Sequence, residues 1–120
     1  MIYLDNSATT RVSAGASAAA QHYMTEEFFN PSAMYAPAVQ VEREVERVRA
    51  ELAASLGAKP SELYFTSGGT ESDNIAILGT ASVQRDPRAR YITTEMEHPA
   101  VYNVFLALAR TGADVVFLKP

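Results

Sequence analysis

The sequence has 120 residues, the size of one ordinary domain with a single hydrophobic core. Hydrophobic residues make up 48% of it and charged residues 20%, which is average globular usage and excludes a disordered tail, a fibrous repeat and a coiled coil. Ten Lys and Arg against fourteen Asp and Glu give a net charge of −4, so the basic surface of a nucleic-acid binder is missing.

The apolar stretches and the first residues indicate where the chain resides. No apolar run approaches the roughly 18 residues of a membrane span. Asp5 follows Met1 closely, with no basic region of the kind that starts a signal peptide. We therefore expect a cytoplasmic protein that has neither a membrane nor a nucleic acid as a partner.

The counts of cysteine, histidine and lysine restrict the chemistry. The sequence contains no cysteine, which excludes a disulfide, a thiolate metal site and a cysteine nucleophile within these residues. Two isolated histidines do not make a zinc site without distant carboxylates, so we expect no metal. Lys59 and Lys119 are the only lysines, and a reaction that needs a lysine nucleophile has only these candidates.

The first half of the sequence predicts an extended start and two helices. Residues 1–12 form the extended segment, and an Ala-rich helix over 14–24 ends before the Asn30-Pro31-Ser32 loop, because a residue before proline leaves the helical region. A second helix begins near residue 37 and stops at Gly57. Its apolar positions recur at spacings of 4, 3, 4 and 4, and charged residues take the other faces; the apolar positions are Val41, Val45, Val48, Leu52 and Leu56.

The second half predicts strands alternating with helices. Strands are expected at 63–65, 91–93 and 115–118, and helices at 70–83 and 99–110. The strand centres are 28 and 24 residues apart with one helix in each interval, which is typical of right-handed crossovers in a parallel sheet. We predict an α/β fold, with a parallel-rich sheet covered by helices on both faces and a single partial domain over 1–120.

A glycine turn, Ser67-Gly68-Gly69-Thr70, follows the first predicted strand and begins a helix. The N–H groups of a first helical turn, the helix dipole and the Ser67 and Thr70 hydroxyls together suit a phosphate. A tight turn capped by Thr70 with nothing bound explains the pattern equally well. No lysine follows the glycines and G-x-G-x-x-G is absent, so one phosphate fits better than a triphosphate or a dinucleotide. A carboxylate at Glu71 repels the anion unless it points away.

His98 follows the second predicted strand and is expected at the same edge of the sheet as the glycine turn. Its imidazole is suited to stacking, hydrogen bonding or proton transfer. The alternative is a loop histidine paired with Glu95 or Glu97. His22 lies within the Ala-rich helix, where we interpret it as structural.

Four segments together resemble a known family. They are Tyr3-Leu4-Asp5-Asn6-Ser7-Ala8-Thr9-Thr10, Asn30-Pro31-Ser32, Phe65-Thr66-Ser67-Gly68-Gly69-Thr70-Glu71-Ser72-Asp73-Asn74 and Glu97-His98-Pro99-Ala100-Val101. In this order they resemble the amino-terminal portion of the cysteine desulfurases, in the class V aminotransferase family. The resemblance implies residues 13–120 as the amino-terminal part of the cofactor-binding large domain of fold type I.

The resemblance also implies an activity and site residues. Cysteine desulfurases use pyridoxal 5'-phosphate to move sulfur from L-cysteine to an enzyme cysteine, leaving L-alanine and a persulfide for iron–sulfur cluster assembly or other sulfur transfer. They are usually homodimers that pass sulfur to an acceptor or scaffold protein. By motif, Gly69 and Thr70 correspond to cofactor-phosphate ligands and His98 to the ring stacked on the pyridine. Asn6 corresponds to the rim of the substrate pocket, although a structural turn explains it equally well.

The family's reacting residues are expected downstream of this sequence. These are the cofactor lysine, the nucleophilic cysteine and the arginine for the substrate carboxylate, so no catalytic residue is expected here and the chain alone is expected to be inactive. Another class V enzyme, such as a selenocysteine lyase or an aminotransferase, is an alternative. So is a phosphate-binding module without activity.

Neither lysine is expected to bond covalently to pyridoxal phosphate, because neither stands in the family's lysine motif. Mixing chain and cofactor, reducing with borohydride and mapping by mass spectrometry should show weak labelling shared between Lys59 and Lys119. The Lys59→Arg and Lys119→Arg variants give the background for each site. Stoichiometric labelling of one lysine alone contradicts the prediction.

Overall fold

Helices alternate with strands along the second half of the chain, in a computed structural model that describes residues 2–120. The described elements are, in chain order, α1 (Ala14–Thr25), α2 (Ala36–Ser55), a 3-10 turn (Pro60–Glu62), α3 (Gly69–Val83), β1 (Arg90–Thr94), α4 (Pro99–Arg110) and β2 (Asp114–Leu118). They belong to two compact units, of which the first ends at Leu63 and the second spans Tyr64–Pro120. The α/β class is confirmed.

In the first unit, helix α1 begins with a side-chain cap. The Ser13 hydroxyl accepts a hydrogen bond from the Ala16 N–H at 3.2 Å, which satisfies one of the free donors of the first turn. Near its other end, His22 Nε2 lies 3.6 Å from Glu27 Oε2. The predicted helix over 14–24 is confirmed, and α1 ends one residue later, at Thr25.

Helix α2 is confirmed as a helix, but its predicted apolar face is only partly buried: Val41 is buried, whereas Val48, Leu52 and Leu56 are exposed within the residues that the structure describes. Pro37 lies in its first turn, where a missing N–H costs nothing, and Ala38, Val41 and Ala53 are buried. Glu and Arg side chains of this helix form i,i+3 and i,i+4 pairs, and such solvent-exposed pairs contribute little to stability. These pairs are Arg47 with Glu44 and Glu51, and Arg49 with Glu46.

Gly57 and Gly112 end α2 and α4 in the same way. Both have positive φ, 67° and 94°, in the left-handed region that favours glycine. Each glycine N–H and the N–H after it reach back to two of the last carbonyls of the helix, at 2.9–3.3 Å. This is the Schellman arrangement, and it explains why each helix stops where the sequence predicted.

The strand predicted at 63–65 is wrong. Leu63 has an extended backbone, with φ −104° and ψ 124°, but residues 63–65 do not form a strand in the part of the chain that the structure describes. The Leu63 carbonyl instead accepts a hydrogen bond from the Arg49 guanidinium at 2.7 Å. An apolar run becomes a β-strand only where a neighbouring strand forms backbone hydrogen bonds with it. Here the Arg49 side chain donates to the Leu63 carbonyl instead.

In the second unit, β1 and β2 pair in parallel as predicted, from Arg90 opposite Asp114 to Thr94 opposite Leu118. The Arg90 Nε and Asp114 Oδ2 atoms lie 2.7 Å apart at the start of this register. Helix α4 makes the crossover between the strands and packs on both of them. Its Val104 is buried, while the Tyr102 ring packs on Phe117 with centroids 5.2 Å apart.

Helix α3 packs on α4, but the strand pair keeps exposed apolar side chains. Ile92 is 62% exposed and Leu118 is 50% exposed, whereas the middle of β2 is half-buried. No helix within residues 2–120 is long and apolar enough to cross a membrane.

The exposed apolar surface should make the isolated chain self-associate and bind a hydrophobic dye. Sedimentation equilibrium should give a mass above the 13.0 kDa of one chain. Ile92→Thr keeps a β-branched residue in β1 and should reduce both association and dye fluorescence. A monodisperse monomer with a cooperative melt and no dye binding contradicts this expectation.

Candidate functional site

Helices α3 and α4 line a cleft of about 430 Å³ in the second unit. Residues of α3, of α4 and of the cap of α4 form its wall, among them Thr70, Asn74, Leu78, His98, Asn103 and Val104. Thr70 and His98 come from separate sequence motifs, and the fold places both on this one concave surface. Gly69, the third predicted cofactor residue, is the first residue of α3, directly before Thr70.

The start of α3 presents unpaired backbone donors. The first N–H bonded within the helix belongs to Ser72 and donates to the Gly68 carbonyl at 3.1 Å, so the N–H groups of Gly69, Thr70 and Glu71 precede the ladder. A Cβ added at Gly68 or Gly69 meets no heavy atom within 4 Å. The backbone at the positive end of the helix dipole is therefore open to an approaching anion.

The Glu71 carboxylate bonds to the turn that precedes the helix. Its Oε2 accepts from the Ser67 hydroxyl at 2.6 Å and from the Ser67 N–H at 2.7 Å. The Ser67 hydroxyl first, and its N–H second, lower the pKa of Glu71. The structure corrects the expectation that the Ser67 hydroxyl serves a phosphate, because that hydroxyl already donates to Glu71.

Two further side-chain bonds hold the first turn of α3. The Thr66 and Ser72 hydroxyls lie 2.7 Å apart, and the Asn74 amide donates to the Thr70 carbonyl at 2.7 Å. The Thr70 hydroxyl itself has no hydrogen-bond partner within residues 2–120. Sequence reasoning missed Asn74, which the four-residue spacing from Thr70 indicates in retrospect.

His98 caps helix α4 with its own ring. Its Nδ1 accepts a hydrogen bond from the Ala100 N–H at 3.1 Å, and Pro99 occupies the first helical position. A neutral imidazole that accepts at Nδ1 carries its proton on Nε2, so the free nitrogen of the ring is a donor. The pattern of histidine directly before a helix-starting proline is the signal that sequence reasoning overlooked.

The alternative pairing of His98 with a neighbouring glutamate is wrong. The residues that the structure describes contain no ion pair between His98 and Glu95 or Glu97. The Glu97 carboxylate instead accepts from the Thr94 hydroxyl at 2.9 Å. The His98 ring is therefore oriented by the helix it caps.

Asn6 lies in a turn of the first unit, over residues 6–8. The Tyr3 hydroxyl closes this turn by donating to the carbonyls of Asp5 and Thr9 at 2.8 and 2.9 Å. The Thr10 hydroxyl donates to the Asn6 carbonyl at 3.1 Å. This geometry accounts for the polar segment as local structure, and a substrate role for Asn6 stays a prediction.

No lysine lines the cleft. Within the part of the chain that the structure describes, no three His, Cys, Asp or Glu side chains cluster as metal ligands. The chemistry available at the cleft from these residues is thus binding and orientation: backbone donors, one free hydroxyl and one oriented imidazole.

The cleft thus contains the start of α3 and the histidine that caps α4, within a parallel α/β unit. Comparison with known proteins identifies the family. Residues 2–120 match the family Aminotransferase class-V, and the chain belongs to it. Its relatives include "Cysteine desulfurase 2" of Trichormus variabilis, 44% identical over 119 residues, which are 99% of this chain and 30% of the relative. "Cysteine desulfurase IscS" of Methanosarcina thermophila is 44% identical over 117 residues, or 98% of this chain and 29% of the relative.

Solved structures give the same result for the fold. DndA from Streptomyces lividans is 44% identical with a TM-score of 0.79, covering 98% of this chain and 33% of that one. SspA in complex with cysteine is 36% identical with a TM-score of 0.85, covering 98% and 34%. The resemblance to cysteine desulfurases and the fold expected from it are confirmed, and the chain spans about 30% of the length of the curated relatives it matches.

Replacing Ser67 with Ala should raise the pKa of Glu71 part of the way back, because the hydroxyl donor is lost and the N–H donor remains. A lowered folded-state pKa stabilises the fold above the unfolded pKa, and this stabilisation is lost as the pH falls through the folded value. The loss of this stabilisation should therefore be seen in the acid range, below about pH 4.

A carboxyl-detected NMR titration measures this pKa directly. Ser82→Ala is the matched control, because its hydroxyl donates to Gly79 at the far end of the same helix. An unchanged Glu71 pKa in Ser67→Ala means that the hydroxyl is not its partner in solution.

Proposed function

We propose that this chain supplies the cofactor-phosphate and ring-face contacts of a pyridoxal-phosphate-dependent cysteine desulfurase. One observation carries the proposal: Thr70 and His98 line a single cleft beside a helix start whose N–H groups are unpaired. Membership of the class V family supports it, as do cysteine desulfurase relatives at 44% identity. Gly69, Thr70 and His98 are the proposed binding residues.

The residues present fit the cofactor by their donor chemistry. A single phosphate suits the N–H groups of Gly69 and Thr70 together with the free Thr70 hydroxyl. Glu71 does not compete for those donors, since its Oε2 accepts hydrogen bonds from the N–H and the hydroxyl of Ser67. A planar imidazole held by its own cap suits the face of a heteroaromatic ring.

The proposed roles of this chain are to hold and to orient. When bound, pyridoxal phosphate supplies the electron-withdrawing ring that makes cleavage of the carbon–sulfur bond of L-cysteine possible. Thr70 and the first-turn N–H groups anchor the phosphate, while His98 fixes the plane of the ring and keeps a donor at Nε2. Asn6 is proposed at the rim of the substrate pocket.

The proposed reaction moves sulfur from L-cysteine to an enzyme cysteine, giving L-alanine and a persulfide. The solved relative SspA in complex with cysteine supports this substrate. This chain has no cysteine, so the sulfur-accepting cysteine and the cofactor lysine are proposed to come from residues outside this sequence. We extend the proposal to a cytoplasmic homodimer that passes sulfur to an acceptor protein.

Thr70→Val preserves the shape of the side chain and removes its hydroxyl. A lost hydrogen bond to a charged group costs about 1.5 to 3 kcal/mol, so the Kd for pyridoxal phosphate should rise roughly ten- to a hundredfold. Titration of the complete apoenzyme that contains this chain, followed by the amide signals of Gly69 and Thr70, measures this Kd.

Two controls make the titration specific. Thr80→Val makes the same change near the far end of α3 and should leave the Kd unchanged. Pyridoxal, which lacks the phosphate, should not shift the Gly69 and Thr70 amides. An unchanged Kd in Thr70→Val removes Thr70 from the site.

A further inference from the structure

The Glu71 carboxylate closes a five-residue ring at the start of α3. One oxygen, Oε2, accepts both the N–H and the hydroxyl of Ser67, at 2.7 and 2.6 Å. A second tie, between the Thr66 and Ser72 hydroxyls at 2.7 Å, spans the same turn. The backbone that these hydrogen bonds span contains Gly68 and Gly69, and glycine is the residue type with the greatest backbone freedom.

Glu71 acts on a bound phosphate through two opposing effects. Its negative charge repels an anion at the same helix start, but the carboxylate is exposed and water screens this repulsion. Its two bonds to Ser67 hold the glycine turn in one conformation, so the turn need not be ordered when the anion binds. Removing the carboxylate changes phosphate affinity in opposite directions under these two effects.

We infer that Glu71 is a positioning residue for the cofactor phosphate, which it serves by clamping Ser67 and thereby fixing the turn that presents the Gly69 and Thr70 N–H groups. This inference rests on the proposed function and adds no second site. The clamp also occupies the Ser67 donors, which leaves the phosphate to the donors of α3 itself. The Ser67 hydroxyl first, and its N–H second, lower the pKa of Glu71, as expected of a carboxylate that accepts two hydrogen bonds.

The test compares pyridoxal phosphate affinities of the complete apoenzyme that contains this chain and of its variants, by NMR titration. Glu71→Ala should weaken binding roughly two- to thirtyfold, the effect of losing one helix-capping interaction, even though it removes a negative charge. Glu71→Gln keeps an oxygen that accepts from the Ser67 N–H and should rescue affinity to within about threefold of wild type.

Two further variants distinguish the effect of the Glu71 charge from the effect of its hydrogen bonds to Ser67. Asp73→Asn makes the same charge change as Glu71→Gln on the same helix and should leave affinity unchanged or slightly higher. Ser67→Ala removes one of the two donors and should weaken binding less than Glu71→Ala does, so the inference stays testable if Glu71→Ala fails to fold.

The outcomes distinguish this inference from the proposed function. If Glu71→Ala or Ser67→Ala binds as tightly as wild type or more tightly, Glu71 acts only as a charge and the inference is overturned, while a Thr70-dependent Kd leaves the proposed function standing. If pyridoxal phosphate does not shift the Gly69 and Thr70 amides of the wild-type apoenzyme, the proposed function fails and the inference fails with it.

Discussion

Parallel pairing of β1 with β2 is the constraint on which the second unit depends. Two parallel strands in sequence require a crossover, and α4 is that crossover. Because α4 must start soon after β1 ends, its capping residue lies at the carboxyl end of the strand, where ligands of parallel sheets collect. His98 holds that position. Packing of α3 on α4 then brings the start of α3 to the same cleft, so a backbone requirement gathers two distant motifs.

The two helix starts at the cleft satisfy their backbone donors differently, and this difference assigns their roles. At α4, Pro99 removes one donor and the His98 ring accepts from another, so little capacity remains for an anion. At α3, no side chain accepts from the first-turn N–H groups within residues 2–120, because the one nearby carboxylate, Glu71, is bonded to Ser67. Of the two helix starts, that of α3 has the free donors for the anion site that we propose, and α4 has the oriented ring.

Much of this arrangement is predictable from sequence because its signals are local. Gly57 ends a helix through its own backbone conformation, and Pro99 starts one through its missing N–H, so the bounds of α2 and α4 were predicted closely. The failures concern choices between partners. The stretch at 63–65 has the composition of a strand, but within residues 2–120 it is not one, and the Leu63 carbonyl accepts from Arg49. Ser67 has donors that suit either an anion or Glu71. Composition does not reveal which partner wins, since that depends on geometry.

The residues that this chain contains and those that it lacks indicate which part of the proposed reaction it serves. It has open N–H donors at the start of α3 and an oriented histidine at the start of α4, which we propose as phosphate and ring-face contacts, but it has no cysteine, and no lysine lines the cleft in the part of the chain that the structure describes. Contacts to a phosphate lie far from the bond that reacts, yet they determine where the reactive ring sits relative to groups supplied from elsewhere. In the proposed site, binding energy at the start of α3 would act on the reaction through position, as contacts to non-reacting parts of a ligand generally do. A preordered helix start holds such a position better than a flexible one, and this is the advantage that the Glu71–Ser67 bonds would give to the proposed site.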